Sequence, residues 1–190
     1  HTMVLTNTKE NLQAIPKIGN LPDQLVTVLL HESLGVCTEV KHGFLNHCER
    51  LRAVDLGPLR NVVTIGDSFI YRCISLKAID LSPLVSVVTI GKCFLEGCTT
   101  IQEADLSSLS NVTTVGEEFM GRCRALRSVD LTPLANITII ERCFLSGCEA
   151  LETVNISAFT KVKAIRGSFL LTCRSLKVID LAAFTSVTNV

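Results

Sequence analysis

The chain has 190 residues, of which 47% are hydrophobic, 19% are charged and 5% are aromatic, with no tryptophan. Its 18 basic and 18 acidic residues balance, so the chain has no net attraction for phosphate backbones or acidic membranes, and nucleic acid is disfavoured as a partner. The hydrophobic content is too high for a disordered protein, and no run reaches the roughly 20 consecutive apolar residues of a membrane-spanning helix.

The first segment, residues 1–24, lacks the pattern that dominates the rest of the chain. Leu12, Ile15 and Ile18 keep an apolar spacing of three, while proline and glycine residues between and after them break regular structure. His1-Thr2-Met3 is typical of the remnant of an expression tag. We expect the remainder of this segment to form a degenerate turn or a cap, because the end of a repeat array must cover its stacked apolar interior.

From residue 25 onward, the chain repeats a unit of 25 residues with the pattern L-x-x-V-D-L-x-P-L-x-x-V-x-x-I-G-x-x-F-L-x-x-C. A fixed period of this size is the signature of a solenoid, so we expect about seven stacked turns over residues 25–190, with the last one truncated. The clearest markers are a phenylalanine and a cysteine: Phe44, Phe69, Phe94, Phe119, Phe144 and Phe169, and Cys48, Cys73, Cys98, Cys123, Cys148 and Cys173.

Each unit predicts two short strands. In the unit that begins at Leu51, Val54 and Leu56 alternate with small or polar residues, which is the period of a half-buried strand. The β-branched run at 62–65 predicts a second strand. A strand that recurs once per turn pairs in parallel with its copies at about 4.8 Å.

A tight turn follows the second strand in each unit. Gly66 permits a change of direction, and Asp67-Ser68 resembles the cap of a short helix. We therefore predict a single helical turn that carries Phe69, Ile70 and Cys73 into the core, with the phenylalanines of successive units stacked in one buried spine.

The end of the unit has a recognisable motif. I-G-x-x-F-L-x-x-C, as in Ile90-Gly91 to Cys98, resembles the I-G-x-x-A-F-x-x-C signature of the BspA-like (Treponema pallidum type) leucine-rich repeats. The added D-L-x-P-L segment is similar to repeat proteins of kinetoplastid parasites. The resemblance implies an α/β leucine-rich repeat, a right-handed solenoid with a parallel β-ladder and short helical or irregular turns. It also implies that the chain binds a host or matrix protein at a cell surface.

Nine cysteines would suggest disulfides in a small secreted protein. Here, however, six of them share one position of the repeat, where neighbouring Cβ atoms point in parallel and miss disulfide geometry. We expect these six to be buried thiols that act as small hydrophobic residues. The additional Cys93 and Cys143 lie two units apart, about 10 Å, which is too far for a disulfide, and we expect them to be the more reactive cysteines.

The sequence predicts no metal, cofactor or catalytic site. It contains neither G-x-S-x-G nor G-x-x-x-x-G-K, and its four histidines lie far from most hydroxyl and carboxylate positions of the repeat. One gathering of histidine and cysteine occurs, but it has no C-x-x-C or H-x-x-x-H spacing. Its members are Cys37, His42, His47 and Cys48.

An acidic position recurs on the first strand, interrupted once by Asn155. Like charges on neighbouring strands repel, so we expect hydrogen bonds to the next turn and a nearby basic column to offset the repulsion. A bound cation or a basic partner is the alternative explanation, and we favour the structural one. The acidic residues are Asp55, Asp80, Asp105, Asp130 and Asp180, and the basic ones are Arg52, Lys77, Arg127 and Lys177.

Two hypotheses for function remain. The first is a non-catalytic recognition module that binds another protein on its strand face and flanking turns, where equivalent positions vary between units. The alternative is an intracellular scaffold subunit, which free thiols and the lack of a visible leader favour. Because Val190 stops in mid-unit, we also expect self-association through the C-terminal end. The residues expected to contact the partner are Ala78, Asp80, Glu103, Asp105, Ser128, Asp130, Thr153 and Asn155.

Overall fold

A computed structural model describes residues 2–5, 14–15, 18–19 and 26–189 as a coil of short parallel strands joined by tight turns. Paired residues in neighbouring strands differ by 25 in number at most positions, as in Thr64 with Thr89. The strands are Thr2–Leu5 (β1), Ala14–Ile15 (β2), Ile18–Gly19 (β3), Thr27–Leu30 (β4), Glu39–Val40 (β5), Phe44–Asn46 (β6), Ala53–Asp55 (β7), Thr64–Ile65 (β8), Thr89–Ile90 (β9), Thr114–Val115 (β10), Ser128–Asp130 (β11), Ile139–Ile140 (β12), Thr153–Asn155 (β13) and Ala164–Ile165 (β14).

The first predicted strand forms an interrupted ladder, which we call the first ladder. It consists of a three-stranded sheet, β1-β4-β7, and a separate pair, β11-β13. Between them, residues 76–81 contain no strand, and Glu103 joins Ser128 only by an isolated bridge. The prediction of a regular strand in every unit is therefore wrong for the middle of this ladder.

The second predicted strand forms a more continuous ladder, the second ladder. Five of its strands pair in the order β10-β9-β8-β5-β2, and β12 pairs with β14. Glycine follows three of these strands because the turns approach closely there. A Cβ at Gly91 would lie 2.7 Å from the backbone nitrogen of Asp67. At the next equivalent position the glycine is replaced by Glu141, and the second ladder is divided at the same unit.

The turn after Gly66 is not the predicted helical turn. Ser68, Ile70 and Arg72 have φ values of 59°, 54° and 57°, and alternate left-handed residues are incompatible with a right-handed helix. Because left-handed residues alternate with others, the N–H groups of one left-handed residue and the next point toward opposite neighbouring turns. Ile70 N–H donates to the carbonyl of Phe44 at 2.8 Å, and Ser68 N–H donates to that of Lys92 at 2.7 Å. Each turn is thus bonded to the turns on both sides.

Short 3₁₀ helices follow the first ladder instead. In the described part of the chain, none of them has the length and apolarity that a bilayer crossing requires. Pro58 and Pro133 lie in the first turn of two of them, where proline has no N–H to leave unbonded. The helices are Glu32–Val36, Gly57–Asn61, Ser107–Leu109, Thr132–Leu134 and Phe159–Lys161.

The predicted phenylalanine spine is confirmed. The rings from Phe44 to Phe144 stack with centroids 4.8–5.4 Å apart, and all five are buried. Phe169 meets Phe144 edge-on at 6.1 Å. Because dispersion and hydrophobic burial both scale with such contact, this spine is the centre of the core.

The column of cysteines runs beside the spine, and from Cys73 onward its members are thiols. Each of these five donates a hydrogen bond at 3.1–3.3 Å to a carbonyl 28 residues earlier, as Cys98 does to Ile70. That carbonyl belongs to a left-handed residue of the preceding turn. The thiol therefore supplies this carbonyl with a donor, which an aliphatic side chain cannot do. The carbonyls of Leu95 and Leu145 also accept a backbone N–H, from Cys98 and Cys148. The thiol donors are Cys73, Cys98, Cys123, Cys148 and Cys173.

Parts of residues 1–24 belong to the same coil. β1 pairs with β4 from Thr2 with Thr27 to Leu5 with Leu30, again an offset of 25. Thr2 and Met3, interpreted from sequence as the remnant of a tag, thus lie in a paired strand. Leu12 lies outside the described residues, as does most of the expected cap.

Candidate functional site

The eight residues predicted to contact a partner, which we call the strand face, are all exposed. Six of them follow one another along the first ladder. Ser128 pairs with Thr153 and Asp130 with Asn155 between β11 and β13, and Glu103 pairs with Ser128. Ala78 and Asp80 lie where the ladder has no strand. The fold therefore brings most of the predicted set together on one surface.

A cavity lies in the middle of the strand face. It has a volume of about 310 Å³, and Glu103, Asp105, Ser128 and Asp130 line it together with Pro133. Three of these side chains are carboxylates. The cavity therefore presents negative charge within a short length of the first ladder.

The acidic column of the first strand has a structural role within its own turn. Asp130 Oδ1 accepts a hydrogen bond from the N–H of Thr132 at 3.0 Å, and Asn155 Oδ1 accepts one from Ser157 at 3.1 Å. Such Asx turns set the direction of the chain after the strand. Asn155 replaces aspartate because the turn needs only the acceptor oxygen. The same bond is made by Asp55, Asp80, Asp105 and Asp180.

These bonds correct the expectation that the carboxylates reach the next turn. They also lower the pKa of Asp80, chiefly through the side chain of Ser82, and that of Asp105, through the N–H of Ser107. No ion pair among the described residues joins the acidic column to the basic one. The expected basic column therefore makes no close ion pair with the described acidic residues, whose side chains are exposed.

The basic column lines a separate depression. Arg52 and Lys77 border a cavity of about 420 Å³ together with Ile74, Ser75 and Thr100. The hydroxyl of Thr100 donates to the backbone carbonyls of Ile74 and Leu76, and Arg52 and Lys77 are the charged residues of the lining. The surface beside the strand face thus carries the opposite charge.

A second cluster lies in the tight turns, away from the strand face. Glu96 is only 2% exposed, and its Oε1 accepts a hydrogen bond from Arg122 at 2.9 Å. The thiol of Cys93 and a carboxylate oxygen of Glu118 lie with a Glu96 oxygen within 4.8 Å of one another. Cys93 and Glu118 are half-buried. We call Cys93, Glu96 and Glu118 the thiol-carboxylate cluster.

Burial and like charge perturb this cluster. Burial, and then the neighbouring Glu118, raise the pKa of Glu96 to about 7. Burial, and then Glu96, raise the pKa of Cys93 to about 12. The thiol of Cys93 is therefore less readily ionised than that of an ordinary cysteine. That Cys93 and Cys143 are more reactive than the cysteines of the column stays a prediction; both are half-buried, whereas Cys98 and Cys123 are buried.

Sequence reasoning missed the cluster because its members belong to two neighbouring units and match no ligand spacing. One signal was available: Glu96 stands at a repeat position that holds Tyr71, Gly121, Ser146 and Leu171 in other units. The histidine and cysteine gathering near the start of the array behaves differently. In the part of the chain that the structure describes, Cys37, His42, His47 and Cys48 do not converge.

The comparisons with known proteins match the repeat and the fold. A family model described as the BspA type leucine rich repeat region matches residues 35–143 in six copies. No curated protein matches the chain. A leucine-rich repeat protein from Bacteroides ovatus is similar in structure, with a TM-score of 0.67 and 21% identity over 81% of this chain and 37% of that one. The leucine-rich repeat protein of T. pallidum has a TM-score of 0.68 and 20% identity over 93% of this chain and 78% of that one.

Proposed function

Because the chain belongs to the BspA-type leucine-rich repeat family, we propose that it binds another protein on the strand face, without chemistry of its own. Leucine-rich repeats are generally protein-interaction modules, and a solenoid presents an extended surface for such contacts. This chain spans 37% of the length of the B. ovatus protein, so the proposal concerns the surface of this array.

One observation carries the proposal: the contrast between inward and outward positions of the repeat. Inward positions hold the same residue types in nearly every unit, because the core is built from copies that stack on one another. At the outward position after Arg52, by contrast, the side chain differs in almost every unit. It is Ala53, Ala78, Glu103, Ser128, Thr153 and Val178. Variation among equivalent sites gives each turn its own surface, which allows an array to distinguish partners.

The chemistry of the central cavity indicates the kind of partner. Glu103, Asp105 and Asp130 surround it, and their carboxylates favour a basic patch on the other protein. Contacts at the centre of an interface tend to dominate its affinity. The proposed partner therefore has an exposed cluster of lysine or arginine. The resemblance to BspA-like proteins adds the proposal that it is a host or matrix protein, bound in the manner of a surface adhesin.

The alternative is an intracellular scaffold subunit. The observation that favours it is the column of thiols at Cys73, Cys98, Cys123, Cys148 and Cys173. A chain exported to an oxidising compartment commonly uses such residues as cross-links. Both functions use the strand face, and they differ in compartment.

Self-association through the C-terminal turns is a further part of the proposal. Phe169, Leu181, Phe184 and Val187 border an apolar cavity of about 500 Å³, and Leu181 is 54% exposed. Exposed apolar surface of this kind favours association. Sedimentation should show concentration-dependent association that Leu181→Glu reduces, whereas a clean monomer at high concentration would refute it.

The main test is binding after affinity capture and mass spectrometry have identified a partner. Glu103→Arg should weaken binding severalfold or more, because it places a positive charge beside the cavity. Asp130→Asn should also weaken binding, since it removes the charge while keeping the acceptor for Thr132. Glu49→Arg is the matched control, because it makes the same charge change at an exposed site outside the strand face.

The folded state of each variant is checked by its thermal melting. Equal losses for Glu103→Arg and Glu49→Arg would mean that only net charge matters. Undiminished binding by both strand-face variants would exclude this surface as the site.

A further inference from the structure

We propose that Cys93, Glu96 and Glu118 bind a divalent cation of the zinc and cadmium class, at a site that links two neighbouring turns of the coil. The site is independent of the strand face and of the protein-binding function proposed above. Its ligands would be one thiolate and two carboxylates, a set that suits a borderline-soft ion.

The donor atoms converge closely enough for one ion. The thiol sulfur and the two carboxylate oxygens lie within 4.8 Å of one another. Bonds of about 2.0–2.3 Å to zinc place tetrahedral ligands about 3–4 Å apart. A tetrahedral site therefore requires the half-buried Cys93 and Glu118 side chains to move toward Glu96. Cys93 and Glu118 are half-buried and Glu96 is buried, so an ion would enter past the first two side chains.

Glu96 distinguishes this cluster from the equivalent positions of other units. A buried carboxylate is costly unless it is paired, and Arg122 contacts its Oε1, while the other two donor groups, those of Cys93 and Glu118, face the same residue. The equivalent residues Gly121, Ser146 and Leu171 carry no charge. The fold therefore accommodates an acid that its own repeat does not call for.

Charge balance gives the valence of the ligand. Arg122 contacts Glu96 at 2.9 Å and neutralises one negative group. A second carboxylate and a thiolate remain, so the cluster with Arg122 carries a net charge of two negative units when all three ligands are ionised. A divalent cation makes the site neutral. It displaces the proton of the thiol, which leaves to solvent when the sulfur binds.

The chain contains a matched control two units further on. Cys143 occupies the position of Cys93, with the same left-handed backbone. Ser146 and Ser168 stand there in place of Glu96 and Glu118. The second site thus offers a thiol in the same local geometry without the carboxylates.

The experiment is a titration of the whole chain with Co²⁺ as the probe, followed by displacement with Zn²⁺ or Cd²⁺. We expect one equivalent of Co²⁺ to produce a thiolate-to-cobalt charge-transfer band that Zn²⁺ abolishes. Cys93→Ser should remove the band. Glu118→Gln should weaken binding by about tenfold or more. Cys143→Ser should change neither.

Melting temperatures with and without Zn²⁺ distinguish a variant that has lost the metal site from one that has failed to fold. Zn²⁺ should raise the melting temperature of the wild type and of Cys143→Ser, because a ligand that binds only the folded state stabilises it. Cys93→Ser and Glu118→Gln should melt normally without metal and show a smaller rise. The proposal is overturned if the wild type gives no band, if Cys143→Ser removes it, or if Glu118→Gln binds as tightly as the wild type.

Discussion

The middle of the coil and its last described turns are built from the same repeat but differ in packing. Phe94 and Phe119 are buried and lie nearly parallel, with an interplanar angle of 5°. Phe169 is half-buried and meets Phe144 at 65°. Leu131 is fully buried, whereas Leu181 at the equivalent position is 54% exposed. The burial of a repeat residue therefore depends on having a stacked turn on each side, and not on its identity alone.

The largest expected effect tests this difference at the phenylalanine spine. Phe119→Ala should lower the free energy of unfolding by about 3–5 kcal/mol, because it leaves a cavity between two stacked turns. Phe169→Ala should cost distinctly less, since its ring is already half-exposed. Chemical denaturation of the two variants measures the difference. Equal losses would contradict the dependence on two neighbours.

The next effect concerns the cysteine column. Cys123 donates to the carbonyl of Leu95 at 3.3 Å and is buried. Cys123→Ala should cost about 0.5–1.5 kcal/mol, because the carbonyl of Leu95 loses one of two donors and keeps the N–H of Cys98. Cys173 makes the same bond but is half-buried, so water can replace its thiol. The denaturant midpoint should therefore fall further for Cys123→Ala than for Cys173→Ala. A larger fall for Cys173→Ala would show that the hydrogen bond is unimportant.

The third effect is a pH dependence that arises in the middle of the coil. The pKa of Glu96 is raised from 4.5 to about 7, so the folded state binds a proton more tightly than the unfolded state does. Stability from this group is present below pH 4.5 and is lost as the pH rises through about 7. Glu96→Gln should therefore flatten the pH profile of the melting temperature in this window.

Glu149→Gln is the control for that measurement. Glu149 is an exposed acid that pairs with Arg124 at 3.4 Å. Removing its charge should leave the dependence of the melting temperature on pH unchanged between pH 4.5 and about 7. A profile that Glu96→Gln does not alter would show that Glu96 is ionised throughout the range.

The smallest effect is expected at the Asx turns. Asp130→Ala should lower the midpoint of unfolding slightly, because the N–H of Thr132 loses its acceptor. Asp130→Asn should restore it, as Asn155 already makes the same bond. Asp180→Ala should have less effect than Asp130→Ala because its turn is less well packed. If Asp130→Asn is as unstable as Asp130→Ala, the negative charge matters more than the hydrogen bond.

Several errors of the sequence interpretation have one physical origin. The segment after Gly66 satisfies the local rules for a capped helical turn, yet Ser68, Ile70 and Arg72 adopt left-handed conformations. Left-handed backbone is unfavourable for such residues in isolation. It is adopted here because it lets the N–H groups bond to the turns on both sides. Propensity acts within one unit, whereas these bonds form only between units.

The sequence by itself determined the coil, its period and its core. The recurrence of Phe69, Cys73 and the aliphatic residues dictates which side chains point inward, because only identical units can stack their apolar positions on one another. The same recurrence identified the exposed, variable position of the strand face. Asn155 was the one visible sign that the acidic column serves a turn.

Only the tertiary structure decided how neighbouring turns interact. It determined the interruption of the first ladder, the left-handed turns, and the meeting of Cys93 and Glu96 with Glu118 from the next unit. These features depend on distances between residues about 25 positions apart, which stacking sets and a repeat pattern does not specify. Equivalent positions look alike along the chain, but each one is surrounded by side chains from its neighbours.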